Sequence, residues 1–191
     1  MRLPEHLAWT WVDTPVGELL IITSPLGVRR TFCAWSRDGA GGHGAAPVEL
    51  HQAVDAATQE YGQSPVREDH ALYPLRQQVE EWFDGTRQNF DVALDLTGIQ
   101  GFRRRVYQAI QHIPYGQTAS YGQIAAAAGS ALAARAVGIA CRDILLPVFL
   151  PVHRVTRADG STGEPSGVPG QRQLMLQHER WVLGDGDSPW M

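Results

Sequence analysis

Ser120-Tyr121-Gly122-Gln123-Ile124-Ala125-Ala126-Ala127-Ala128-Gly129-Ser130-Ala131-Leu132-Ala133-Ala134-Arg135-Ala136-Val137-Gly138 is the stretch that decides how this chain reads. Ser120 followed three residues later by Gln123 is a capping box, so a helix is expected to start at Tyr121. Gly129 marks its end. A second helix is expected from about Ala131 to about Arg142. Two helices joined by a short glycine turn suggest a helix-turn-helix. The second helix is rich in Ala and Gly, so it can approach another backbone closely. That backbone is either DNA or a neighbouring helix.

Charge adds to this reading. The chain carries 20 acidic residues and 16 arginines, with no lysine. The missing lysine is read as composition bias rather than function. Residues 1–98 hold 14 acids and 7 arginines, whereas residues 99–191 hold 6 acids and 9 arginines. Between Gly101 and Arg142 there are five arginines and no acid. A cationic segment in an acidic protein is either a phosphate-binding face or a solvated basic helix. Within it, Arg135 is the only charged residue between Arg105 and Arg142.

Working outward, the N-terminal part reads as a meander of about three antiparallel strands. These cover His6 to Asp13, Glu18 to Ser24 and Val28 to Trp35, with turn signals at Thr14-Pro15-Val16-Gly17 and Pro25-Leu26-Gly27. The glycine-rich run Gly39 to Gly44 reads as a loop. Helices are expected over about Pro47 to Tyr61, Pro74 to Asp84 (Gly85 following at C′) and Phe102 to His112. Phe90 to Leu96 alternates as an extended segment. A change of character at Gly98 divides the chain into 1–97 and 98–191. The fold class expected is α+β: a small domain with a three-stranded antiparallel sheet, then a mainly helical domain.

The sequence argues against several classes. A hydrophobic content of 43 % and a charged content of 19 % are those of an ordinary globular chain. The longest apolar stretch, Ile144 to Val152, is too short to span a bilayer. Cys33 and Cys141 form no CxxC pair, so neither a disulfide framework nor a zinc site is suggested, and no cofactor or metal is expected. With no signal-peptide pattern, the expected compartment is reducing and cytoplasmic.

Four motifs follow in order: Ile113-Pro114-Tyr115-Gly116, Ser120-Tyr121-Gly122, Ala133-Ala134-Arg135-Ala136-Val137-Gly138 and Pro151-Val152-His153-Arg154-Val155. Together they resemble the O6-alkylguanine-DNA alkyltransferase family, whose signature at the last of them is Pro-Cys-His-Arg-Val. Weaker matches lie at Thr14 to Gly17, Ser166-Gly167 and His178-Glu179. The resemblance implies a recognition helix in the DNA minor groove. Tyr121, Ala134, Arg135, Ala136 and Gly138 would contact double-stranded DNA. Arg135 would fill the gap left by a flipped nucleotide, and Tyr121 would press on the adjacent phosphate. Tyr121, Val152, Pro165 and Ser166 would line the lesion pocket.

The family's reaction is alkyl transfer to a cysteine thiolate, activated through a histidine and a glutamate. His153 and Glu179 stand at those two positions, but Val152 stands at the acceptor and has no lone pair to alkylate. Ile144 replaces a hinge asparagine, and Pro165 replaces a tyrosine that helps hold the flipped base. His153 and Glu179 are therefore read as remnants with no catalytic role, and Arg154 as structural. The expected function is non-enzymatic recognition of alkylated guanine. The lesion would then be presented to nucleotide-excision repair proteins, as in the cysteine-less alkyltransferase-like relatives, and the protein would act as a monomer. The alternatives are a non-selective DNA-binding or regulatory module, a scaffold binding a protein partner through its N-terminal domain, and an active methyltransferase using Cys141.

Overall fold

The computed structural model describes residues 1–15, 17–35, 50–163 and 170–190, the side chains of 33–35, 50 and 51 excepted. The expected loop Gly39 to Gly44, the start of the helix expected from Pro47, Val16 of the first turn, and Pro165, Ser166 and Gly167 lie outside these residues, as does the Cys33 side chain. The chain divides into two compact units, Met1–Asp95 and Leu96–Met191.

In the first unit, β1 (Ala8–Thr14), β2 (Gly17–Ser24) and β3 (Gly27–Trp35) form the expected antiparallel meander. A fourth strand, β4 (Val66–Arg67), pairs parallel to β1, giving the order β3-β2-β1-β4. At two residues it is too short for any periodicity to announce. Alternation along β1 buries Ala8, Thr10 and Val12 and leaves Trp9 and Trp11 half-buried. Those two indoles pack with Phe32, Val54 and Tyr61 against Leu20, Ile22, Ala53 and Ala57. Ala53 and Ala57 bring α1 (Leu50–Tyr61) into this cluster. α2 (Tyr73–Phe83) buries Leu75, Val79, Trp82 and Phe83, which recur at helical spacing, and Gly85 closes it at φ +79°.

Phe90 to Leu96 forms no regular strand. Its only ladder contact among the described residues is a parallel bridge of Leu94 to Val28. Val28 N–H donates to the Ala93 carbonyl at 2.9 Å, and Asp95 N–H donates to the Val28 carbonyl at 2.8 Å. Gly27 permits this approach, because a Cβ there would fall 2.3 Å from the Ala93 carbonyl oxygen.

The second unit contains α3 (Gly101–Gln111), α4 (Tyr121–Ala127), α5 (Ala134–Arg142), a one-turn 3-10 helix (Val152–Arg154) and α6 (Gln171–Val182). A short parallel pair, β5 (Ala119–Ser120) with β6 (Val155–Thr156), accompanies them. α4 starts on the expected capping box: Ser120 Oγ accepts from Gln123 N–H, and the Gln123 side chain accepts from Ser120 N–H at 2.7 Å. It ends in a Schellman motif, with Ser130 N–H bonded to the Ala125 carbonyl and Gly129 N–H to that of Ala126. α5 begins three residues later than the sequence suggests. Ser130 to Ala133 is used up in a turn closed by Ala133 N–H to the Ser130 carbonyl at 2.9 Å. No helix of the described residues is long and apolar enough to cross a membrane.

Candidate nucleic-acid interface and lesion pocket

α5 sorts its residues by face. Val137, Ala140 and Cys141 are buried, while Arg135, Ala136 and Ile139 are exposed and Ala134 and Gly138 lie between. The arginines of the acid-free segment are mostly occupied with the fold. Arg103 donates to Tyr107 Oη at 2.9 Å and to the Asp143 carbonyl. Arg104 reaches the Leu96 and Ile99 carbonyls, and Arg105 caps the Ala128 carbonyl at the end of α4. Arg142 pairs with Asp143. For Arg135 the structure gives no hydrogen bond or ion pair within the described residues. It is an exposed cation on a small-residue helix face. The broad basic face suggested by charge counting thus narrows, because Arg103, Arg104 and Arg105 are spent on backbone carbonyls and Arg142 on the Asp143 carboxylate.

The pairing of β5 with β6 aligns Ala119 with Val155 and Ser120 with Thr156. Two sequence motifs whose paired residues stand 36 positions apart are thereby joined, and the start of α4 lies beside the turn that carries Val152. The segment before that turn includes Val148 at φ +76°, a conformation disfavoured for a β-branched residue. It is held by burial of Leu146, Val148, Phe149 and Leu150. Ile144 is half-buried. Val152 itself is 6 % exposed and presents only methyl groups.

Behind Val152 lies a buried polar knot. His153 Nε2 bonds to Glu179 Oε1 at 2.7 Å. Arg154 donates through Nε to both carboxylate oxygens, at 2.9 and 3.1 Å, and through Nη1 to the Ile113 carbonyl at 2.7 Å. Gly116 N–H donates to Glu179 Oε2 at 2.8 Å. Burial alone would raise the Glu179 carboxyl, but the hydrogen bonds from His153 and Arg154 and the Arg154 charge outweigh it and hold the group down at about 2. Burial, aided by the charges of Arg154 and Arg172, lowers His153 and outweighs its bond to Glu179, so the imidazole is neutral near pH 7. An ionised carboxylate only accepts, so Nε2 carries the proton. Glu179 and Arg154 therefore clamp the Ile113 to Gly116 turn onto α6. This is a structural task that does not depend on a thiol.

Tyr121 is half-buried at the first position of α4, and its hydroxyl accepts a bond from Arg172 Nη1 at 3.3 Å. Cys141 is buried, and desolvation pushes its thiol up to about 11, so almost none is thiolate near neutrality. Among the described residues no group of His, Cys, Asp or Glu is arranged to hold a metal ion. Arg172 was not singled out from the sequence. It lies in no recognisable motif, and only the folded contacts distinguish it from the other arginines.

A capped helix, a tight turn and a small-residue helix with an outward arginine make up a helix-turn-helix. Residues 101–181 match the model of the 6-O-methylguanine DNA methyltransferase DNA-binding domain. Over 88 % of its length the chain is 34 % identical to a DNA base-flipping protein of Thermus thermophilus, covering 97 % of that protein. It is also 35 % identical to the constitutive methylated-DNA–protein-cysteine methyltransferase of Bacillus subtilis, over 90 % of this chain and 94 % of that one. The Mycobacterium tuberculosis O6-methylguanine methyltransferase superposes with a TM-score of 0.72 at 28 % identity, over 92 % of this chain and 94 % of that one. The same organism's OGT in complex with DNA superposes at 0.69 and 28 % identity, over 93 % and 94 %. The chain belongs to the O6-methylguanine DNA methyltransferase family.

Proposed function

We propose that this protein binds double-stranded DNA and recognises O6-alkylguanine by rotating the nucleotide out of the stack, without accepting its alkyl group. The observation that carries the reading is Val152, a buried aliphatic residue in Pro151-Val152-His153-Arg154-Val155, where the family signature has its acceptor cysteine. Alkyl transfer breaks a carbon–oxygen bond and forms a new bond to a nucleophile, and valine offers none. Cys141 is a poor substitute, being buried and protonated. Binding needs no thiol. Extruding a base costs a few kcal/mol, and an inserted side chain that replaces its stacking offsets part of that cost. Arg135 is free to supply that side chain. The name of the Thermus thermophilus relative is consistent with flipping.

The test is a duplex carrying O6-methylguanine with a radiolabelled methyl group, incubated with excess protein. The expected result is a retarded duplex that keeps all its label. Label on the protein would overturn the proposal, and its loss in Cys141→Ala or Cys33→Ala would then identify the acceptor.

A further inference from the structure

Arg172 is a buried cation whose charge is felt at His153 but whose own hydrogen bonds go to Tyr121 and the Cys141 carbonyl, not to Glu179. It stands at the second position of α6 and is 5 % exposed. No carboxylate among the described residues pairs with it, although burying an arginine is costly without partners. Its Nη2 donates to the Cys141 carbonyl near the end of α5 at 2.9 Å, and its Nη1 donates to Tyr121 Oη. Gly163 closes the same corner. A Cβ on that residue would lie 2.3 Å from Tyr121 Oη and 3.6 Å from Arg172 Nη1. The bare Gly163 backbone therefore lets the phenol and the guanidinium meet.

We infer that Arg172 is a positioning residue for DNA engagement: it holds the Tyr121 hydroxyl ready to donate to a backbone phosphate and locks that hydroxyl to the helix that carries Arg135. This rests on the DNA-binding reading above. The chemistry follows from the hydroxyl's inventory of one donor and two acceptor sites. Arg172 occupies an acceptor site, so the O–H remains to donate outward. A bond accepted from a cation polarises the phenol and strengthens the bond it donates. The second anchor, on the Cys141 carbonyl, ties the phosphate contact on α4 to α5. The two side chains assigned to base rotation then move as one body, which lowers the ordering cost on binding.

The test is a double-mutant cycle on the full-length protein, with Arg172→Met, Tyr121→Phe and both together. Affinity is measured for a duplex with a fluorescent adenine analogue beside O6-methylguanine, and flipping is read as the fluorescence rise at saturation. Arg172→Met is expected to weaken binding about tenfold and to lower the saturating fluorescence. In the Tyr121→Phe background the same change is expected to cost less than about twofold. Arg172→Lys, which can keep one anchor, should recover part of the loss. The Tyr121 13Cζ resonance of the free protein reports the Arg172 contact without DNA, and it should shift in Arg172→Met. Equal losses in both backgrounds, or an unmoved resonance, would overturn the inference while leaving the functional reading intact. A wild-type protein that binds neither this duplex nor its undamaged counterpart would overturn the functional reading, and the DNA role of Arg172 with it.

Discussion

Replacing Glu179 with glutamine tests the buried knot in a way that separates charge from shape. Glutamine keeps an oxygen near His153 or Gly116 but leaves the Arg154 guanidinium, 6 % exposed, without its counter-charge. Removing one partner of a buried pair costs about 3–5 kcal/mol. For a cooperative unit of roughly 100 residues, each kcal/mol lowers the melting temperature by about 4–8 °C, so a fall of at least about 12 °C is expected at pH 7. The pH dependence is more diagnostic. A carboxyl lowered from 4.5 to about 2 by folding contributes stability that is fully present above pH 4.5 and is lost as pH falls towards 2. That contribution amounts to about 3 kcal/mol, of which about 2 kcal/mol is gone by pH 3. Denaturant unfolding of wild type and Glu179→Gln at several pH values should show the gap between them narrowing by about 2 kcal/mol from pH 7 to pH 3. A constant gap would refute the argument that an ionised Glu179 organises Arg154 and the Ile113 to Gly116 turn.

Three further expectations follow from local geometry. Ser120→Ala removes half of the capping box and should cost about 1 kcal/mol by denaturant unfolding, whereas Ser120→Asp should cost much less. In a Cys33→Ala background, Cys141 should react with iodoacetamide at neutral pH at least about a hundredfold more slowly in the folded than in the unfolded protein; equal rates would mean the thiol is neither buried nor raised. Gly116→Ala should destabilise by about 1–3 kcal/mol in thermal melts, because the residue sits at φ +73° and a Cβ there would lie 2.2 Å from Leu183 Cδ1.

The sequence carried the strong local signals and little of what tertiary contacts decide. The Ser120/Gln123 box, the Gly129 stop and the i, i+4, i+7, i+8 burial of α2 are written in short-range chemistry and appear where expected. The late start of α5 was hidden because alanines favour helix equally at 131 and 134; the Ser130 turn made the choice. β4 and the Leu94 bridge exist only as pairings with distant strands, so no periodicity could reveal them. Within the site, the motifs supplied Arg135, Val152, His153 and Glu179. They could not show that Arg103, Arg104 and Arg105 are spent on the fold, nor that Arg172 meets Tyr121. Those facts depend on which carbonyls and hydroxyls folding brings within reach.

The most direct test of the central claim is equilibrium binding to one duplex bearing a single O6-methylguanine and to the same duplex bearing guanine, at two salt concentrations, for wild type and Arg135→Ala. At least about tenfold preference for the lesion is expected, retained at higher salt while overall affinity falls, and lost in Arg135→Ala without a change in melting temperature. Equal affinity for the two duplexes would contradict lesion recognition and leave a DNA-binding protein without selectivity.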